Sequence, residues 1–252
     1  FNKIESVRGG NPILFPFSGR TFSGSEIGKW KAADGIVRPM PMHGFVRNGS
    51  CSIENVDDLG FTSVLKPDEA AQEAYPYDYK FSVAYKFYEL KMVVDFILEN
   101  NDNQAIPWSP GHHFYFNLPW HSDLQRSDYR VNIPAKKAYY HAPDGSLSEV
   151  KDWNNEETFD CEGLNDRLHS RMTGDCVKFG PKGGEEDISI KIITPGVKGS
   201  TCSIVTWSET ENEPYYCVEP WFGLPNGVSR KGGVSYVSPG KSSRFTLEVS
   251  LM

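Results

Sequence analysis

No stretch of this chain approaches the roughly 18 uninterrupted apolar residues that a membrane-spanning helix requires, so no membrane partner is expected. It also lacks a basic excess, because 26 Lys and Arg stand against 33 Asp and Glu for a formal charge of −7. With no basic run, a nucleic-acid backbone is not an expected partner either. The five cysteines, at 51, 161, 176, 202 and 217, are odd in number, widely spaced and free of any C-x-x-C. Neither a zinc ribbon nor a dense disulfide framework is indicated. Cys202 and Cys217 lie in hydrophobic stretches and read as buried thiols, which points to a reducing, cytoplasmic setting. The opening Phe1-Asn2-Lys3-Ile4-Glu5 has no apolar segment of the kind a secretion signal carries. Solenoid-length repeats, low-complexity runs and linkers are missing too. What remains is 252 residues with 13% aromatics, enough for a sizeable core and read as a single domain over 1–252.

Alternation dominates that chain. Phe81, Val83, Tyr85 and Phe87 fall on one face of an extended segment, and Leu90, Met92, Val94, Phe96 and Leu98 continue the period. Segments 188–192 and 245–251 repeat it. A two-residue period with one apolar face marks half-buried antiparallel strands. Turn chemistry separates them at Asn100-Asn101-Asp102-Asn103, Pro143-Asp144-Gly145, Pro181-Lys182-Gly183-Gly184 and Pro239-Gly240. The clearest helix runs from Pro67 to Ala74, barely two turns, with proline and acidic residues at its start. The expected fold is all-β, one large antiparallel sandwich or barrel-like structure with few short helices.

Four segments could carry chemistry. In Ser109-Pro-Gly-His-His-Phe-Tyr-Phe-Asn-Leu-Pro119, an extended chain puts His112, Phe114, Phe116 and Leu118 on one face and His113, Tyr115 and Asn117 on the other. The first set reads as core and the second as a polar row where an imidazole could work. Adjacent strand residues point apart, so His112 and His113 are not expected to share a metal. In Tyr215-Tyr-Cys-Val-Glu-Pro-Trp-Phe-Gly223, Glu219 shares a face with Cys217 and Tyr215 in a run suited to the interior. An acid there must be paired, hydrogen-bonded or neutral, and burial raises its pKa toward the useful range. A salt-bridged glutamate at a strand end is the structural alternative. In Pro39-Met-Pro-Met-His43-Gly-Phe-Val-Arg47, an extended reading puts His43, Phe45 and Arg47 on one face, and Gly44 permits close backbone approach. The last segment, 6–20, contains Arg8, the doublet Gly9-Gly10 and Arg20. It matches neither a dinucleotide nor a P-loop fingerprint, and G-x-S-x-G is absent from the chain.

These segments, in this order, resemble the aldose 1-epimerase (galactose mutarotase-like) superfamily. The likeness is carried by R-G-G-N-P-I-L-F-P (8–16), H-G-F-V-R (43–47), H-F-Y-F-N-L (113–118) and C-V-E-P-W-F-G (217–223). It implies a β-supersandwich and a cofactor-free epimerase of the anomeric carbon of a sugar, present as a monomer or weak homodimer. Carried over by motif, His113 is the catalytic acid and Glu219 the catalytic base. His43 assists at the ring oxygen or neighbouring hydroxyls, while Arg20 and Asp166 contact sugar hydroxyls. No metal ligands are implied. The hexose-6-phosphate branch of the superfamily has phosphate-binding arginines in R-G-G and H-G-F-x-R, which fall on Arg8 and Arg47. Here, however, Asn11 stands where that branch has Ile, and the run ends Phe-Ser-Gly-Arg20. The substrate therefore stays open between a hexose and a hexose phosphate, and either arginine could instead pair with a nearby acid such as Glu5 or Glu54. Only seven residues precede Arg8, where the family typically has one or more strands, so a shortened sandwich edge is expected. Two rival readings keep the same residues: a non-catalytic carbohydrate-binding sandwich, and a metalloenzyme holding an ion with His43, His113 and Glu219.

Overall fold

The computed structural model describes residues 8–184, 186–194 and 201–252. The alternating segments become two large antiparallel sheets. One has the strand order Ile13–Leu14, Gly111–His112, Tyr215–Trp221, Ser203–Trp207, Arg167–Met172, Ala135–His141, Leu147–Val150, and Phe114–Asn117 also pairs with Tyr215–Trp221. The other runs Glu156–Thr158, Tyr129–Asn132, Cys176–Pro181, Ile188–Ile192, Ser242–Leu251, Lys91–Asn100, Tyr79–Tyr88, Gly60–Lys66, Ser50–Asp57. This is the all-β sandwich that the two-residue period predicts.

Between the sheets lies the core. Phe81, Val83 and Tyr85 point into it, as do Val94, Phe96 and Leu98 from the neighbouring strand. Phe15 stacks on Phe81 with ring centroids 3.8 Å apart, and Phe222 stacks on Phe245 at 5.1 Å. Each such ring or aliphatic side chain contributes about 1.5–3 kcal/mol when fully buried. The period fails at strand ends. Phe87 and Leu90 are exposed, at the turn that joins Tyr79–Tyr88 to Lys91–Asn100. The helix spans Glu69–Ala74, and the Asp68 carboxylate accepts from the Ala71 amide at 2.8 Å as its N-cap. Cys202 and Cys217 are buried thiols, as expected, and all five cysteines are free. Among the described residues, no helix is long and apolar enough to cross a membrane. At the sheet edge, Ile13–Leu14 is only two residues long, and the residues preceding Arg8 lie outside those described.

The extended reading of His43, Phe45 and Arg47 is overturned. His43 and Gly44 both adopt positive φ, at 67° and 73°, and a 3-10 turn follows at Val46–Asn48. Gly44 pairs with Phe15 in a parallel bridge so close that a Cβ at 44 would overlap the Phe15 carbonyl. Backbone sterics therefore override the alternating pattern. Phe45 turns into the core against Phe15 and Tyr75, whereas His43 and Arg47 face the other way.

Candidate active site

Strand alternation in the first sheet separates core from site. His112, Phe114, Tyr216, Val218 and Ile204 point between the sheets. Their sequence neighbours His113, Tyr115, Cys217, Glu219 and Val205 point to the opposite face. His112 is the packed histidine expected: it stacks on Phe114 at 3.9 Å and meets the Tyr85 hydroxyl at 3.2 Å. On the far face, Leu14, Leu168, Val205 and Trp221 form a second small apolar cluster, and Val205 and Trp221 of it line a cleft.

That cleft has a volume of about 240 Å³. It brings together every residue singled out in the sequence: Arg8, Arg20, His43, Arg47, His113, Asp166 and Glu219. Sequence reasoning missed Met42, Trp207 and His141, which also line it, and passed over Tyr115 as a mere neighbour of His113. Trp207 and His141 close their strands on the same face as Val205 and Tyr139, so alternation alone could have flagged them. A larger cleft of about 540 Å³ lies elsewhere, among Leu90, Phe116, Trp120, Ile188, Leu251 and Met252. It is mostly apolar, has no histidine, and its Asp187 is held by Arg130 at 2.7 Å. Its other carboxylate, Glu186, pairs with His121 at 2.9 Å, so both acids that line it are already engaged.

His113, in the break between Gly111–His112 and Phe114–Asn117, meets Glu219 on the strand with which both pair. His113 Nε2 lies 3.2 Å from Glu219 Oε1, and the Trp221 indole N–H donates to Oε2 at 3.2 Å. Glu219 is 2% exposed, and burial drives its pKa well above the usual carboxylate range. Trp221 opposes that rise through its hydrogen bond, and the Asp166 charge adds to it. Burial also lowers His113, to about 4, with its own carbonyl opposing and the Arg47 and Arg8 charges reinforcing. Both shifts act in the same sense: the proton that the pair shares rests on Glu219, and the imidazole is neutral.

His43 completes the triangle, its ring 5.5 Å from that of His113 and 5.7 Å from Trp221. Its Nδ1 accepts from the Gly19 amide at 3.2 Å, and burial holds its pKa well below the ordinary value. A neutral ring that accepts at Nδ1 carries its proton on Nε2 and offers a donor. Donor atoms of His43, His113 and Glu219 lie within 4.8 Å of one another, a spacing that could hold a cation. A metal ligand needs a free imidazole lone pair, and the one on His43 is already committed to Gly19. The set fits proton transfer and hydroxyl binding better than coordination.

Around the rim sit three arginines. Arg8 forms a two-pronged pair with Glu209, at 2.9 and 3.1 Å, rather than with a local acid. Glu5 lies outside the described residues, and Glu54 accepts from Ser52 at 3.3 Å. Among the described residues, Arg20 and Arg47 have no carboxylate partner. Asp166, at a positive φ of 53°, faces His141 across 3.5 Å. Arg8 and Arg47 thus share one cleft, which sequence alone could not establish.

Solved structures with this architecture include a galactose mutarotase related enzyme from Lactobacillus acidophilus, 22% identical, with a TM-score of 0.76 over 96% of this chain and 82% of that one. A galactose mutarotase-like protein from Lactobacillus casei ATCC 334 is 20% identical, with a TM-score of 0.75 over 96% and 85%. Among curated proteins, the plasmid LacX protein of Lactococcus lactis subsp. lactis is 22% identical over 98% of this chain and 87% of its own. The aldose 1-epimerase family profile matches residues 1–170, about two thirds of the chain and ending before the strand that bears Glu219. The resemblance read from the sequence motifs is therefore one of membership, and the chain belongs to the aldose 1-epimerase family.

Proposed function

We propose that the protein interconverts the α and β anomers of a hexose or hexose phosphate by acid–base ring opening and reclosure. The observation that carries this reading is the 3.2 Å contact between His113 and Glu219 on the floor of a monosaccharide-scale cleft. In ring opening, Glu219 takes the proton of the C1 hydroxyl while His113 gives one to the ring oxygen. The bond from C1 to the ring oxygen breaks and C1 becomes an aldehyde. Rotation about C1–C2 turns its other face to the ring hydroxyl, and the reverse transfers close the ring. His43 donates from Nε2 to a ring or hydroxyl oxygen, Asp166 accepts from a sugar hydroxyl, and Arg20 and Arg47 donate to the remaining hydroxyls or to a phosphate.

The resting proton sits on Glu219, opposite to the state in which ring opening begins. A single proton transfer across the direct contact interconverts the two, so each turnover can start from either anomer. Because the roles exchange on reversal, the pair works only when it holds one proton. That sets the pH dependence. As the pH falls through about 4, His113 gains a second proton and no base remains. As it rises through the elevated Glu219 range, the shared proton leaves and no acid remains. The expected kcat/KM profile is a broad bell with its acid limb near 4, lower than an ordinary histidine would place it. A profile flat from about pH 3 to 10 in a folded enzyme would contradict the pair.

The direct test is polarimetry of freshly dissolved α-D-glucose and α-D-galactose, with glucose 6-phosphate followed in a coupled anomer-specific assay. Faster relaxation of any of them supports the reading, and the preferred sugar decides what Arg8 and Arg47 do. Saturable sugar binding without anomer exchange would favour the non-catalytic carbohydrate-binding alternative. Chelators are expected to leave the rate unchanged. A loss reversed by added zinc would replace proton chemistry with the His43, His113 and Glu219 metal site.

A further inference from the structure

We infer that His141 is a specificity-determining residue whose Nε2 accepts a hydrogen bond from one sugar hydroxyl, with Asp166 fixing the imidazole for that task. This rests on the sugar-binding part of the proposed function. His141 ends the strand Ala135–His141, and its ring lies tilted against Trp221 at 6.3 Å, on the same cleft wall as Asp166. Its two nitrogens have opposite surroundings. Nδ1 faces the Asp166 carboxylate at 3.5 Å, which can only accept, so the ring proton belongs on Nδ1. Nε2 is buried yet has no hydrogen-bond partner. Burying an acceptor without a donor is unfavourable, and such atoms in a cleft mark where a ligand group belongs.

The geometry of Asp166 supports the same division of labour. It sits at a backbone conformation that disfavours most side chains, a cost that surrounding structure must sustain. Asparagine and aspartate tolerate that conformation best, so residue type and backbone agree. Asp166 is therefore a positioning residue toward His141 as well as a source of the field that raises Glu219. A site built to bind a hydroxyl rejects an analogue lacking it, because its own polar atom is left unpaired.

The test measures sugar affinity through the fluorescence of the cleft tryptophans Trp207 and Trp221, in parallel with mutarotation rates. The ligands are the preferred hexose and its 2-, 3-, 4- and 6-deoxy forms. Against wild type, one deoxy sugar is expected to bind about tenfold more weakly than the parent. In His141→Phe, which keeps an aromatic ring against Trp221, the parent weakens by a similar factor and that one deoxy penalty disappears. His141→Gln, which retains an acceptor, recovers part of both. Asp166→Ala costs less affinity in the His141→Phe background than in wild type, because the part of its effect that passes through His141 is already lost. Equal weakening of all the sugars in His141→Phe, with every deoxy penalty intact, would reduce His141 to a packing role and overturn the inference. Binding that follows this pattern without anomer exchange would remove the proposed catalysis and leave His141 as assigned. No sugar binding at all would overturn both.

Discussion

Glu219→Gln is expected to lower kcat/KM about 10²–10⁴-fold while leaving the fold and its stability intact, the loss anticipated for removing one positioned proton-transfer group. Glutamine has the same shape, and its oxygen can still accept from the Trp221 indole, which now lies 3.2 Å from Glu219 Oε2. Its amide can donate to His113 in place of the carboxyl proton. Because burial already keeps Glu219 neutral at rest, the substitution removes no buried charge. Only the ability to give up and recover a proton is lost. His113→Asn should do the same, and the double variant should be little worse than either single one, since paired groups act as a unit. Polarimetric rates compared with thermal unfolding check both statements. A single variant that keeps more than about a tenth of the rate would reject the role assigned to its residue.

Gly44→Ala is expected to cost about 2–5 kcal/mol of stability, the sum of a left-handed backbone for alanine and overpacking against rigid backbone. At φ 73°, Gly44 sits in a parallel bridge with Phe15, and the Phe45 amide donates to the Phe15 carbonyl at 3.0 Å. An added Cβ would meet that carbonyl and the Pro16 nitrogen, neither of which can rotate away. Phe15 cannot yield freely either, because it stacks on Phe81 and packs against Tyr75 and Phe45. The same shift would drag His43 from its contact with Gly19, so activity should fall with stability. Gly240→Ala is the control: its φ of 66° is similar, but nothing lies within 4 Å of its added Cβ. It should show only the backbone cost. A fall in the urea midpoint at constant slope measures each, and equal midpoints for the two variants would contradict the close approach at Gly44.

Several features of the site were legible before any coordinates. Alternation in 112–118 separated the core imidazole of His112 from the cleft imidazole of His113, because successive strand side chains must point to opposite faces. The same rule placed Glu219 beside Cys217 in a buried run, and burial accounts for its raised pKa. The helix start was written in Pro67 and Asp68, and the turns in their Gly, Pro and Asn clusters. His43 and Arg47 do line the cleft, but on a turn rather than the extended backbone that the pattern suggests. Two consecutive left-handed residues leave no trace in hydrophobic period, so Phe45 was placed with them when it belongs to the core.

By itself, the sequence determined the antiparallel sandwich, the division of each strand into a core face and a site face, and the motifs that mark the family. Those properties are local, set by sterics and by the affinity of neighbouring side chains for water or for the interior. Only the tertiary structure decided that the Arg8 guanidinium meets Glu209, 201 residues away, and that Asp166 turns toward His141. It also decided where the shared proton rests. A pKa in a buried pair depends on everything packed around it, and strands distant in sequence supply that surrounding: Tyr215–Trp221 brings Glu219 and its indole donor, and Phe114–Asn117 follows directly on His113. Pairing across such separations is fixed by how the two sheets close over one core, a global property that no window of sequence contains.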